Sequence, residues 1–264
     1  MAITSQATVD GALIGDCRPH GHVTCKTHWP LMNDTAKYEN PLQPQNHPRN
    51  EYSSELVVLI RNPVHAIPSY YNQIFEIKSQ SKFHSKQAPM KYWKKFMTMP
   101  NNILFRMVDW IQFIRYWIDE SFREGSYYDV AHFVPYEQVV DVSQGPGLME
   151  SMATTLSGQG APVVQNASDI TCLWTYIVQE RKRMKRSTDA DASRYRPPYL
   201  ARHQHMFVGL LTSFIHELEE KYPPSIISSE KKHHHYHLLL TTELIPILKG
   251  YRDDIAADFE ILQE

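Results

Sequence analysis

The chain has 264 residues, of which 42% are hydrophobic and 21% are charged, so it is long enough for one large α/β domain or two small ones and is not a disordered chain. Its 27 Lys and Arg residues against 29 Asp and Glu residues give a formal net charge of -2, so the charge of the whole chain gives no reason to expect a nucleic-acid or membrane-surface protein. Any anion-binding site must therefore be local.

Compartment signals are weak. The three cysteines, Cys17, Cys25 and Cys172, are too few and too scattered for a disulfide framework or a CxxC metal site, which favours a reducing compartment but leaves room for one disulfide. The longest apolar runs are shorter than the roughly 18 residues of a membrane span, and Asp10 and Asp16 interrupt any signal-peptide pattern. We expect no membrane segment in this chain.

The first predicted elements are a short strand and a much clearer one. Residues 1–20 show neither a helical nor an alternating period, as if the chain began inside a fold. A short strand is predicted over 22–26, and a polar loop with several prolines over 33–54. Glu55–Ile60 is a continuous aliphatic run, which predicts a strand buried on both faces of a parallel sheet.

Helices are predicted after this strand. Residues 64–79 are expected to form a helix that opens near Pro68, followed by a basic, irregular segment to about Pro100. The most regular helix begins near Asn101, because apolar residues recur there at steps of three and four.

The second half of the chain continues the alternation of strands and helices. Val130–Val134 is the third predicted strand, and helices are predicted over 148–156, 170–186 and 199–222. Strand, helix and strand at this spacing predict an α/β fold with a parallel sheet flanked by helices. We expect a single domain over residues 1–264, with its core at about 22–222 and a C-terminal extension at 223–264.

The most informative block is ELVVLIRNPVHAIPSYYNQ. It places Arg61 at the carboxyl end of a buried strand and Ser69 eight residues later in the next helix. Ligands bind at this edge of a parallel sheet, where helix N-termini offer unpaired N–H donors, and an Arg and a Ser there suit a phosphate. The alternative, that Arg61 pairs with a surface carboxylate and Ser69 is an ordinary helix residue, fits the pattern equally well.

A second block, CKTHWP, places Lys26 and His28 beyond the short predicted strand. A His at that position can act as a general base near neutral pH, and a Lys can neutralise charge on a group in transfer. Alone, such a string is weak, because a single His is more often structural.

Together these blocks resemble the sulfotransferases that use 3'-phosphoadenosine 5'-phosphosulfate (PAPS). The resemblance lies in CKTHWPL at 25–31, LVVLIRNPVHAIPSYYNQ at 56–73 and FVPYEQVV at 133–140, in the family's order. It implies that Arg61 and Ser69 hold the 3'-phosphate and that His28 is the catalytic base, with Lys26 beside the sulfuryl group. It also implies that Tyr136, ahead of Glu137, packs near the adenine.

The chain departs from the family in two places. The printed sequence has no PKSGTTW-type phosphate loop, whose amides and basic residue would meet the 5'-phosphosulfate. A basic, glycine-containing loop is replaced by a run without glycine that includes Arg181, Lys182 and Arg183. This run is either a second contact to the 3'-phosphate or a solvated helix end.

The histidine tract and three tryptophans are interpreted as structural and not as functional residues. The histidines at 233–235 and 237 could bind a divalent metal, but beside Lys231 and Lys232 they are expected to be exposed on a turn, so we predict no metal site. Trp93, Trp110 and Trp117 are expected to be core or cleft wall.

The sequence thus predicts a fold related to nucleotide kinases that lacks its first strand and phosphate loop. The predicted function is transfer of a sulfuryl group from PAPS to a hydroxyl or amine of a small-molecule or carbohydrate acceptor. The alternatives are a non-catalytic nucleotide- or polyanion-binding module and a truncated gene model of an active enzyme. The sequence as written fits the cytosol, and a missing N-terminal anchor would place the protein in the Golgi. No nucleic-acid partner is predicted.

Overall fold

The computed structural model describes residues 54–80, 88–123, 128–157, 167–176 with 178, 198–223, and 231–259 with 261. The described chain is mostly helical around a two-stranded parallel sheet, which confirms the predicted α/β class at that level. In chain order, the elements are β1 (Ser54–Ile60), α1 (Pro63–Lys78), α2 (Met90–Thr98), α3 (Asn102–Phe122), β2 (Tyr128–Pro135), α4 (Tyr136–Val139), α5 (Gly145–Ser157), α6 (Ala167–Thr175), α7 (Ala201–Lys221), α8 (Lys231–Leu239), a π-helical turn (Leu240–Leu244) and α9 (Ile245–Ala257). No helix in these ranges is long and apolar enough to cross a membrane.

The two strands end level with each other, and this positions the candidate site. Ser54 pairs with Tyr128 and Ile60 with Pro135, with one irregularity between Leu56 and Val57. The residues that follow, Arg61 and Tyr136, therefore leave the sheet side by side. The predicted strands at 55–60 and 130–134 are confirmed with slightly wider bounds.

Hydrophobic clusters lie on both sides of the sheet. Val58 and Ile60 belong to the main cluster with α3, α7 and the C-terminal helices, whereas Val134 packs with α5 and α6. The expected burial of β1 on both faces is only partly correct, because Leu59 is 45% exposed. The C-terminal segment adds Leu244, Leu248 and six further buried residues to the main cluster.

The segment after α1 contains a helix that the sequence analysis did not predict. Residues 90–98 form α2, where an irregular segment was expected, because Trp93 and Met97 share a buried face despite the many lysines between them. Helix α1 begins at Pro63, capped by the side chain of Asn62, so Pro68 lies inside the helix and does not open it.

The interior proline of α1 has a structural compensation. Pro68 has no N–H to donate to the carbonyl of Val64, four residues earlier, so this carbonyl loses its helical partner. The hydroxyl of Tyr199 donates to it instead, at 3.0 Å. Burial raises the pKa of Tyr199 well above its usual value, so the phenol keeps the proton that it donates. The segment before α7 is thereby tied to α1.

A buried histidine makes stability depend on pH. His203 of α7 is 5% exposed, and its Nδ1 has no hydrogen-bond partner in the described part of the chain. Burial, with a smaller contribution from Arg202, lowers the pKa of His203 to about 4. The pKa of a histidine in the unfolded chain is near 6.5. Between pH 6.5 and pH 4, protons therefore bind this histidine in the unfolded chain more than in the folded chain, and the folded chain loses stability as the pH falls.

We predict that the free energy of unfolding falls by about 2 kcal/mol more in wild type than in His203→Phe when the pH drops from 7 to 4.5. Urea unfolding at several pH values measures the difference. The exposed His205 supplies the control, since His205→Phe should keep the wild-type pH dependence. Parallel pH profiles for wild type and His203→Phe would contradict the prediction.

Candidate functional site

The candidate site lies at the carboxyl edge of the parallel pair. Arg61 follows β1 and Tyr136 follows β2, and the guanidinium carbon of Arg61 lies 4.9 Å from the centre of the Tyr136 ring. Both side chains are half-buried. A guanidinium over an aromatic face at this distance is held by attraction to the ring, which leaves its N–H groups free for an acceptor in the plane.

The Arg61 guanidinium has unused hydrogen-bonding capacity. Among the described residues, its buried Nε has no hydrogen-bond partner and no carboxylate forms an ion pair with the guanidinium. Its backbone is fixed, because Trp110 Nε1 donates to the Arg61 carbonyl at 3.0 Å. A buried charged donor without an acceptor costs free energy, and an anion bound in the plane of the guanidinium would remove that cost.

Glu137 joins three elements behind this arginine. Its Oε1 accepts from the backbone N–H of Asn62 at 3.1 Å, and its Oε2 accepts from the Tyr251 hydroxyl at 2.8 Å. The same hydroxyl lies 3.0 Å from the carbonyl oxygen of Ile60, so two acceptors share one proton. Burial, and next the Glu137 carboxylate, raise the pKa of Tyr251 far above its ordinary value, and the hydroxyl stays protonated.

The backbone donors at the start of α1 are already used. Pro63 has no N–H, the Asn62 side chain accepts from Val64 N, and the Asn62 carbonyl accepts from His65 N and Ala66 N. The sequence argument expected unpaired helix N–H groups at this edge, and for the first turn of α1 that expectation is wrong. Anion binding here would depend on the Arg61 side chain.

The predicted partner of Arg61 lies further along α1. Ser69 is the seventh residue of α1 and is exposed. It lies about 9 Å along the helix axis from Pro63, the first residue of α1. No hydrogen bond joins Ser69 to Arg61 within the described ranges. Of the predicted site residues, the fold thus brings Arg61 and Tyr136 into contact, and the convergence of Ser69 on the same anion stays a prediction.

The other predicted site residues lie outside the described residues. They are Lys26, His28, Arg181, Lys182 and Arg183. The histidine tract begins α8, where a turn was expected, and His234 and His235 are exposed as predicted. His237 Nε2 lies 2.8 Å from the Pro223 carbonyl oxygen. Within the described ranges, no group of three or more His, Cys, Asp or Glu side chains could hold a metal ion.

A second polar cluster covers the outer edge of β2. Glu243, in the π-helical turn, accepts from Phe133 N at 2.9 Å, and its other carboxylate oxygen lies 3.0 Å from His132 Nδ1. The carboxylate thus takes up a strand N–H that β1 does not pair, which protects an edge that could otherwise pair with another chain.

Sequence reasoning missed Tyr251 as part of the site. The pattern of Leu248, Tyr251 and Ile255 at steps of three and four could have placed it on the buried face of a helix. Nothing in that pattern indicates that the hydroxyl reaches the end of β1.

Comparison of the chain with protein-family models, with curated proteins and with solved structures finds no match in any of the three. No family assignment follows from them.

We predict that Tyr251→Phe lowers the free energy of unfolding by about 2–3 kcal/mol, because it leaves the Glu137 carboxylate and the Ile60 carbonyl without the shared proton. Denaturant unfolding of wild type and variant gives the value. Tyr176 is 67% exposed, so Tyr176→Phe is a matched control with an expected change within 0.5 kcal/mol. A loss for Tyr251→Phe no larger than for the control would show that the link is energetically unimportant.

Proposed function

We propose that this chain is a sulfotransferase-like protein that binds PAPS at the carboxyl edge of β1 and β2 and transfers its sulfuryl group to an acceptor hydroxyl or amine. The observation that carries the proposal is the half-buried Arg61 guanidinium, which lies against the Tyr136 ring and whose Nε has no hydrogen-bond partner in the described part of the chain. The proposed fold is of the P-loop nucleotide-kinase type, of which the described parallel pair is one part.

The residues at this edge suit the nucleotide chemically. The planar donor fork of Arg61 matches a phosphate dianion, and the neighbouring Tyr136 ring offers an apolar face to a base. In the proposal, Arg61 and Ser69 hold the 3'-phosphate and Tyr136 lies near the adenine. Arg181, Lys182 and Arg183 would bring further positive charge to the same phosphate.

The catalytic roles fall to residues of the CKTHWPL block. When bound, PAPS supplies an activated sulfuryl group whose bond to the 5'-phosphate breaks during transfer. His28 would take the proton of the acceptor hydroxyl, and Lys26 would neutralise the charge that builds up beside the sulfur. These roles come from the resemblance and are part of the proposal.

A second candidate function is a binding module without catalysis. The observation that favours it is the lack of a PKSGTTW-type loop in the printed sequence, since this loop would stabilise the charge on the leaving phosphate. Such a module would keep the Arg61 half of the site and bind a nucleotide or another polyanion.

We predict that the chain binds 3'-phosphoadenosine 5'-phosphate and that Arg61→Ala weakens this binding by about 2 kcal/mol, roughly 30-fold, because a charge-assisted contact is lost. Isothermal titration calorimetry of the two proteins gives both affinities. Arg202→Ala, at an exposed arginine of α7, is the control for loss of one positive charge and should bind like wild type.

The design separates two failures. Equal affinities of wild type and Arg61→Ala would mean that Arg61 does not hold the phosphate. No heat of binding for wild type, with all three proteins folded, would contradict the nucleotide site as a whole.

We further predict that the chain transfers sulfate at least 10³-fold more slowly than an enzyme that has the phosphate loop. Each lost donor to the leaving phosphate costs about 3–4 kcal/mol of barrier, and each 1.36 kcal/mol is tenfold in rate. Transfer of radiolabelled sulfate from PAPS to a panel of phenols, alcohols and sugars measures it.

The outcomes of this assay separate the two candidate functions. Slow turnover that His28→Ala abolishes supports the enzyme, whereas binding without any turnover supports the module. Fast turnover would contradict the predicted deficit, and the segment with Arg181, Lys182 and Arg183 would then be the first candidate to replace the loop.

A further inference from the structure

A concentrated positive surface lies at the corner formed by the end of α1 and by α2. Four exposed lysines define it, and it is called the basic face below: Lys78, Lys91, Lys94 and Lys95. From Ile77 to Val108 the sequence contains no Asp or Glu, although the whole chain carries a formal net charge of -2. The positive charge is therefore a local property of this corner.

The lysines of the basic face have no acidic partners among the described residues, and this sets them apart from cations elsewhere. Lys249 pairs with Glu219 at 2.7 Å and Lys221 with Asp119 at 3.6 Å, while Arg115 pairs with Glu217. Each of these three cations is balanced by a carboxylate within the fold. The basic face is left with its charge uncompensated, which favours an anionic partner.

The corner is a firmly packed part of the fold. Trp93 and Met97 of α2 are buried, so the lysines between them point away from the core. Tyr71 of α1 packs against Phe96 with ring centres 4.5 Å apart, and its hydroxyl donates to the Tyr92 carbonyl at 3.1 Å. The charges therefore stand on a fixed scaffold.

Large apolar side chains are exposed among these lysines. Ile77, Met90, Tyr92 and Met99 are 54%, 36%, 42% and 48% exposed. Tyr92 lies beside the last turns of α1, with its ring 5.6 Å from that of Phe75. Ile77 and Met90 directly precede Lys78 and Lys91 in the sequence. Lysines interspersed with exposed Met, Ile and Tyr side chains have the composition of a surface that lies at a lipid interface.

We infer that the basic face binds the surface of a membrane that contains anionic phospholipids. The lysines meet the lipid headgroups, and Ile77, Met90 and Met99 enter the interface between them. A soluble polyanion such as a nucleic acid would use the lysines but would gain nothing from exposed aliphatic side chains. This inference is independent of the nucleotide site, which uses Arg61 and Tyr136.

Vesicle flotation of the full chain tests the inference. We expect binding to vesicles of phosphatidylcholine and phosphatidylserine at 7:3, at least tenfold weaker binding to phosphatidylcholine alone, and weaker binding at high salt. Lys94→Gln/Lys95→Gln should reduce partitioning roughly 30-fold, because each lysine at a charged bilayer contributes about fivefold.

The matched control removes two lysines that have acidic partners. Lys221→Gln/Lys249→Gln lowers the net charge by the same amount and should leave vesicle binding within threefold of wild type. Circular dichroism checks that every variant is folded. Equal losses in the two double variants would overturn the inference, because net charge and not this surface would then set the affinity.

The apolar side chains decide between a membrane and a soluble polyanion. Ile77→Ser/Met99→Ser alters two exposed positions and should reduce vesicle binding about tenfold, while binding of single-stranded oligothymidylate stays as in wild type. Vesicle binding unaffected by this variant, together with tight oligonucleotide binding through the same lysines, would overturn the membrane assignment. Failure of the wild type to bind either vesicle would do the same.

Discussion

The sheet edge that carries Arg61 depends on the hydrogen bonds of the Glu137 carboxylate. It accepts one hydrogen bond from the backbone N–H of Asn62, which lies two residues after β1 and caps α1, and another from the hydroxyl of Tyr251 in α9. Those partners lie 75 and 114 positions from it in the sequence. One side chain therefore links the segment between β1 and α1 to α9, and Arg61 lies in that segment next to Asn62.

The same carboxylate sets the electrostatics of the edge. Arg61 and Glu137 place one positive and one negative charge at the ends of neighbouring strands. In the proposed site, a phosphate would therefore be held by directed hydrogen bonds to the guanidinium, which act over about 3 Å. The basic face of α1 and α2 follows the opposite principle, since its uncompensated lysines act over about a Debye length.

Local patterns sufficed to predict the elements whose burial follows from their own sequence. The aliphatic runs of β1 and β2 and the regular apolar spacing of α3 specify these elements without knowledge of their neighbours. Helix α2 was missed because only Trp93, Phe96 and Met97 record its buried face, and its lysines resemble a loop. The stacking of Arg61 on Tyr136 follows from two parallel strands that end level with each other. Because both strands and the parallel sheet were predicted, this contact could have been predicted from the sequence. The Tyr251 contact is not reachable in this way, because it depends on how a distant helix crosses the sheet.

The long separations within the edge also bear on how the protein folds. The backbone hydrogen bonds within helices α2 and α3 join residues four positions apart, whereas the pairing of β1 with β2 closes a loop of about 70 residues and the Glu137 to Tyr251 bond closes a longer one. Closing such loops costs chain entropy before the contacts repay it, so high-contact-order parts of a fold form late. The sheet edge that carries Arg61 is thus expected to form after the helices. It also requires α9 to be in place, because Tyr251 of α9 donates a hydrogen bond to Glu137.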